Sequence, residues 1–216
     1  MISINKLLKS YKDKSGSQKV FKNLSYEFES NGVYSILGSS GSGKTTLLNL
    51  ISGLDSFQKG TIEVFNQNLN ELSVEEKSAL RKKYFGFGYQ FHYLLENISI
   101  YENCLAANFG VDNGNIDVTL KKLGIAKIKN KLPSKVSGGE KQRASIARAI
   151  SKKPNILILD EPTGNLDQEN SLIVQDFLLD YAKENDSLVI YATHDISFAK
   201  RAYKSLNIIN GSLVEA

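Results

Sequence analysis

The stretch Gly38-Ser39-Ser40-Gly41-Ser42-Gly43-Lys44-Thr45-Thr46 has the residue types and spacing to grip a polyphosphate. It fits G-x-x-x-x-G-K-[ST] and lies between the apolar runs 33–37 and 47–51, the strand–loop–helix context the pattern requires. Glycines let the backbone curl with successive N–H groups turned inward, where a side chain would block the approach. The helix that follows offers unpaired donors and the positive end of its dipole. Lys44 adds a point charge for the β- and γ-phosphates, and the Thr45 hydroxyl is a hard oxygen ligand for Mg²⁺.

Further groups stand at the ends of other apolar runs. Asp160 and Glu161 follow Ile156-Leu157-Ile158-Leu159, a run suited to a parallel strand buried on both faces. Ligands of open α/β sheets bind at the carboxyl ends of such strands. There Asp160 can hold Mg²⁺, and Glu161 can orient the water that attacks a γ-phosphate. His194 ends the run after 188–192, where it can donate to the γ-phosphate and hold the carboxylate in place. Gln90 ends a short strand over 86–90, and its amide can reach the metal or the water.

A second anion site is written in Ser137-Gly138-Gly139-Glu140. Ser137 caps a helix over 138–151, and the two glycines expose its first N–H groups. One chain needs only one γ-phosphate site. The spare site therefore points to two copies set head to tail, each Ser137 loop over the partner's phosphate loop, an arrangement that closes on itself.

The elements that must position these groups read as an α/β chain. Strands are predicted over 2–8, 20–28, 33–37, 60–65, 86–90, 156–161 and 188–192, with a terminal hairpin over 206–214 turning at Asn210-Gly211. Polar turns are predicted over 13–18 and 66–70. Helices are predicted after the phosphate loop, over 73–83, 99–109, 116–123, 138–151 and 167–184, and in a short stretch from Asp195 to Tyr203. Residues 91–153 carry mostly helical patterns and read as a lobe inserted into an α/β core made of 1–90 and 154–216.

Composition narrows the class. The 216 residues are 41% hydrophobic and 23% charged with a net charge of +4, ordinary for one soluble domain and too weakly basic for a nucleic-acid footprint. The scattered lysines read as a solvated face. The single cysteine, Cys104, reads as a buried, inert thiol. There is no secretory leader pattern and no apolar run of spanning length, so a soluble cytoplasmic chain is expected, reaching a membrane only through a partner.

Together, residues 38–46, Gln90, Ser137-Gly138-Gly139-Glu140, Ile156 to Glu161, Gly164-Asn165-Leu166-Asp167 and His194 resemble, in order, the motifs of an ABC-transporter ATPase over the whole chain. The resemblance implies a P-loop fold with a mostly parallel core sheet, an N-terminal antiparallel portion and an inserted helical lobe. It also implies ATP and Mg²⁺ as cofactors, with Tyr11 stacked on adenine. Residues 38–46, Ser137 and Gly139 would bind ATP. Thr45, Gln90 and Asp160 would serve the metal, and Lys44, Gln90, Glu161 and His194 the catalysis.

The stretches 161–167 and 89–95 are similar to the lipoprotein-release and macrolide-exporter branch, whose ATPases serve separate membrane subunits. Val136 and Glu96 depart from that branch's leucine and proline. The expected protein is a dimeric ATPase that drives a transmembrane permease subunit from the inner face of the membrane, in export or extrusion of lipoproteins or peptides. A cell-division-type ATPase that transmits force without transport is the alternative. A soluble cassette acting on nucleic acid would carry paired cassettes or a long coiled coil, which this chain lacks.

Overall fold

The computed structural model describes residues 1–13, 16–112 and 114–216, with only the backbone at 12 and 13. Two sheets share the strands. One is antiparallel, ordered β2 (Gly16–Phe28), β1 (Ile2–Asp13), β4 (Lys59–Val64), β5 (Gln67–Asn68). The other is ordered β10 (Ser212–Glu215), β9 (Lys204–Ile209), β3 (Gly32–Leu37), β8 (Leu188–Thr193), β7 (Ile156–Asp160), β6 (Phe85–Gly88), and is parallel except for β10.

Strand alternation divides the core between the two faces of the parallel sheet. Ile156, Ile158 and Ile190 face a layer shared with helix α1 (Lys44–Ile51) and the antiparallel sheet. Leu157, Leu159, Val189 and Tyr191 face the layer built by α3 (Ile100–Ala107), α4 (Asn115–Lys122), α5 (Gly138–Ile150) and α6 (Gln168–Asn185). Cys104 lies buried in that second layer, and burial pushes its thiol up to about 11. Helix α2 (Val74–Tyr84) leads into β6, and α7 (Ile196–Ala199) follows β8.

Register sets the strand ends in one row. Leu37 is level with Thr193, Asp160 with Ala192, and Gly88 with Leu159. The segments that leave β3, β6, β7 and β8 therefore emerge along a single edge of the sheet.

The structure corrects several boundaries. Residues 16–18, expected in a turn, pair in β2 with Asp13, Lys12 and Tyr11 of β1; residues 14 and 15 lie outside the described set. This ribbon bears polar side chains, so no apolar alternation betrays it, yet its backbones pair. Within the expected turn over 66–70, Gln67 and Asn68 pair with β4. Strand β6 stops at Gly88, so Gln90 sits in the following turn, not at a strand terminus. Helix α7 covers Ile196–Ala199 and ends before Tyr203. The hairpin turn stands as expected, with Asn210 and Gly211 at φ 51° and 79°.

Candidate functional site

The segment from Gly38 to Lys44 cannot be an ordinary loop. Gly41 and Gly43 have φ of 77° and 107°, and a Cβ on Gly43 would lie 2.6 Å from Val20 Cγ1. A Cβ on Gly38 would overlap the Ser42 hydroxyl, which is buried without a partner among the described residues. The loop ends at Gly43, the N-cap of α1, which supplies no side-chain cap. By contrast, Ser73, Ser99, Ser137, Asp167 and Asp195 cap α2, α3, α5, α6 and α7 with their own side chains. The first turn of α1 thus keeps its donors for something outside the chain. Lys44 Nζ meanwhile donates to the carbonyls of Gly38 and Ser39, at 2.8 and 3.3 Å.

A cavity of about 610 Å³ opens at this helix end. The predicted residues Tyr11, Ser40, Gly41, Gly43, Lys44, Thr45, Thr46, Gln90, Asp160, Glu161 and His194 line it together. Gly38 and Ser39 line a neighbouring cleft that His194 also borders, and Ser42 lines another beside Gln18 and Lys19. Ser137 and Gly139 are not brought to the cavity. Gly139 instead packs toward Leu166 and Asn165, just past the cavity-lining Gly164.

At the cavity floor the Thr45 hydroxyl donates to Asp160 Oδ2 at 2.7 Å. Burial raises the Asp160 pKa and the adjacent Glu161 charge adds to it, against the opposing pull of the Thr45 hydrogen bond and Lys44. The carboxylate is thus short of compensating positive charge. Hydroxyl and carboxylate oxygens are the hard donors Mg²⁺ takes. Among the described residues no group of three or more His, Cys, Asp or Glu could hold a metal. A cation here must complete its shell with water or with substrate oxygens, as Mg²⁺ does on a triphosphate.

Glu161 occupies the left-handed region at φ 50°. A non-glycine residue held there costs about 1–3 kcal/mol. Main-chain bonds hold it: its N–H donates to Ala192 O at 2.9 Å, and its carbonyl accepts from Gly164 N at 3.2 Å. The carboxylate meets His194 Nδ1 at 3.0 Å, with Glu161 12% and His194 74% exposed. A carboxylate at the floor and an imidazole at the rim can together orient a water and a phosphate oxygen.

Residues 21–164 match the family model described as ABC transporter. The chain belongs to the ABC transporter family. It is an ATP-binding, ATP-hydrolysing subunit of that family. The lipoprotein-releasing system ATP-binding protein LolD of Wigglesworthia glossinidia brevipalpis is 39% identical to it, over 99% of this chain and 96% of that protein. LolD of Pseudoalteromonas translucida is 36% identical over 99% and 94%. Among solved structures, the dimeric ATP-binding cassette MJ0796 bound to ADP and Pi superposes with a TM-score of 0.92 at 28% identity, covering 100% of this chain and 98% of that one. The α/β architecture expected of an ABC ATPase is therefore the one observed.

Two cavity residues escape a reading of the ABC motifs alone. Gln18 and Val20, on β2, line the wall beside Gly164 of the Gly164-Asn165-Leu166-Asp167 motif. The only advance signal for Val20 was its place at the start of an alternating strand.

Proposed function

We propose that the chain is the ATPase of a lipoprotein- or peptide-extruding transporter. It works as a head-to-tail pair at the inner face of the membrane and drives a separate transmembrane permease subunit. The LolD relatives support the cargo class. Among the described residues no helix is long and apolar enough to cross a membrane, which fits a peripheral subunit.

The observation that carries the reading is a separation. The cavity gathers phosphate loop, carboxylates, His194 and Gln90, while the Ser137-capped start of α5 lines no part of its wall. Set against another copy's cavity, that helix end would donate its first N–H groups to the γ-phosphate from the open side.

In this reading residues 38–46 wrap the phosphates, and Tyr11 stacks on adenine at the other end of the cavity. Thr45, Asp160 and Gln90 hold Mg²⁺, which when bound neutralises charge on the phosphate oxygens. Lys44 leaves the Gly38 and Ser39 carbonyls for the β- and γ-phosphates. Glu161 accepts a hydrogen bond from the attacking water and aims it in line with the leaving oxygen, while His194 holds the γ-phosphate. Residues 91–153 act as the lobe that carries Ser137, and 1–90 with 154–216 as the lobe that carries the nucleotide. ATP prefers the closed pair and shifts its population; hydrolysis removes that preference.

Glu161→Gln tests the reading. With ATP and Mg²⁺ it should elute from a sizing column at twice the monomer mass and turn over negligibly. A variant that stays monomeric at saturating ATP, or hydrolyses at the parental rate, would sink it.

A further inference from the structure

The ring of Tyr11 is built into the wall by two residues that no nucleotide motif contains. Its hydroxyl donates to Asp55 Oδ2 at 2.6 Å. Asp55 Oδ1 accepts from Lys9 Nζ at 2.8 Å and from the Ser56 N–H at 2.7 Å. Lys9, only 3% exposed, also donates to Ser56 O at 2.6 Å, and its ammonium stands 4.2 Å from the centre of the Tyr11 ring. Each of the ammonium's donors thus has a destination: a carboxylate, a carbonyl and a ring face. Burial alone would raise the Asp55 pKa, but the hydrogen bonds from Lys9 and Tyr11 outweigh it and hold the carboxyl below its usual range.

The chain around this cluster is stitched as well. Register shifts in the β1–β2 pairing flank Lys9, so the strand is locally re-aimed where it carries the cluster. Gln58 bonds both the N–H and the carbonyl of Ser10, at 2.8 and 3.0 Å. Asp55 lies just beyond α1, and its own N–H donates to Asn49 O inside that helix, at 3.2 Å. One helix therefore presents the phosphate donors at its start and, past its end, the carboxylate that grips Tyr11.

We infer that Lys9 and Asp55 are positioning residues for the base subsite: Asp55 fixes the tilt of the Tyr11 ring, and Lys9 covers its rear face so that adenine stacks only on the front. This rests on the reading of Tyr11 as the adenine contact. A restrained ring loses less freedom on binding, so the gain appears in affinity for the base-bearing ligand and not for phosphate alone.

The test compares Tyr11→Phe, Asp55→Asn and Tyr11→Ala in the full chain carrying Glu161→Gln, titrated with ATP and with inorganic tripolyphosphate. Tyr11→Phe keeps the ring and loses only the tether, and no buried charge is stranded. Both Tyr11→Phe and Asp55→Asn should weaken ATP binding about fivefold, the scale of one hydrogen bond, and leave tripolyphosphate affinity unchanged. With Glu161 restored, Asp55→Asn should raise KM for ATP while kcat stays close to its starting value. Tyr11→Ala should weaken ATP further. If Tyr11→Ala costs affinity but Tyr11→Phe and Asp55→Asn bind ATP as the parent does, the positioning role is overturned and the stacking role survives. If Tyr11→Ala costs nothing, both fall. Equal losses for ATP and tripolyphosphate would mark a general disturbance and overturn the inference.

Discussion

His194 Nδ1 lies 3.0 Å from Glu161 Oε2, joining the ends of two adjacent parallel strands across the mouth of the cavity. Residues in contact and serving one step do not contribute additively. His194→Ala should lower ATP turnover about 10²-fold, within the span of acid–base and positioning effects. The double variant with Glu161→Gln should be no slower than Glu161→Gln alone. Steady-state phosphate release checks this; multiplicative losses would mean the two groups act separately.

Lys44 now spends its ammonium on the Gly38 and Ser39 carbonyls. Lys44→Ala should leave the loop folded and weaken ATP binding about 10–100-fold, the scale of a charge-assisted contact. Calorimetric titration reads the change directly, and unaltered affinity would discredit the phosphate role.

Gly138 gives the cleanest probe of a second copy. A Cβ there meets nothing within 4 Å among the described residues of its own chain, and its φ is not in the left-handed range. Gly138→Val should melt within about 0.5 kcal/mol of the parent, as exposed substitutions do. In the Glu161→Gln background it should nonetheless abolish ATP-dependent dimers. Normal dimerisation would show that the helix end does not face a nucleotide.

Asp160 predicts a pH-dependent trade between stability and function. Its folded pKa is raised above the ordinary carboxyl range, chiefly by burial. The folded state therefore binds its proton more tightly than the unfolded chain, and stability falls as pH rises through that window. Without nucleotide, Asp160→Asn should melt higher than the parent at pH 7. A gain of about 1 kcal/mol would correspond to about 2–4 °C. The advantage should vanish as pH falls below the unfolded value, and ATPase activity should be lost throughout. Calorimetry at several pH values decides it.

Gly86 is a purely structural counterpart. A Cβ there would overlap the Ala149 carbonyl oxygen and crowd Pro154. Gly86→Ala should destabilise the chain by about 1–3 kcal/mol, the usual cost of overpacking, seen as a lower denaturant midpoint.

Much of this was legible in the residues. The phosphate loop, the Leu-Asp-Glu strand end and the Ser-Gly-Gly-Glu helix start each combine a backbone requirement with a chemical one, so their spacing is visible without coordinates. The buried strands 156–160 and 188–193 announce themselves by unbroken apolar runs. What stayed hidden depends on the third dimension. Nothing local tells Asp55 that Tyr11 is its partner, because they are distant in sequence and meet only when β1 and the α1–β4 connection pack. The ribbon of 11–13 with 16–18 pairs through main-chain atoms that carry no sequence signal. The left-handed backbone of Glu161 is imposed by Ala192 and Gly164 on a residue type that does not favour it.

The absence of a side chain at Gly86 reaches beyond packing. Strand β6 and the last turn of α5 touch through main-chain atoms, with no deformable group between them. From that same turn the Arg148 guanidinium clasps the carbonyls of His92, at 2.8 Å, and of Tyr93. Helix α5 is thus anchored beside the segment after Gln90 at one end and carries Ser137 at the other, with Gln142 to Ala147 buried between them. Its 13 residues span about 20 Å, so a rigid tilt of about 10° at that anchor would carry the serine by ~3 Å. Whatever tilts the helix at the segment 91–93 would therefore be felt at the serine.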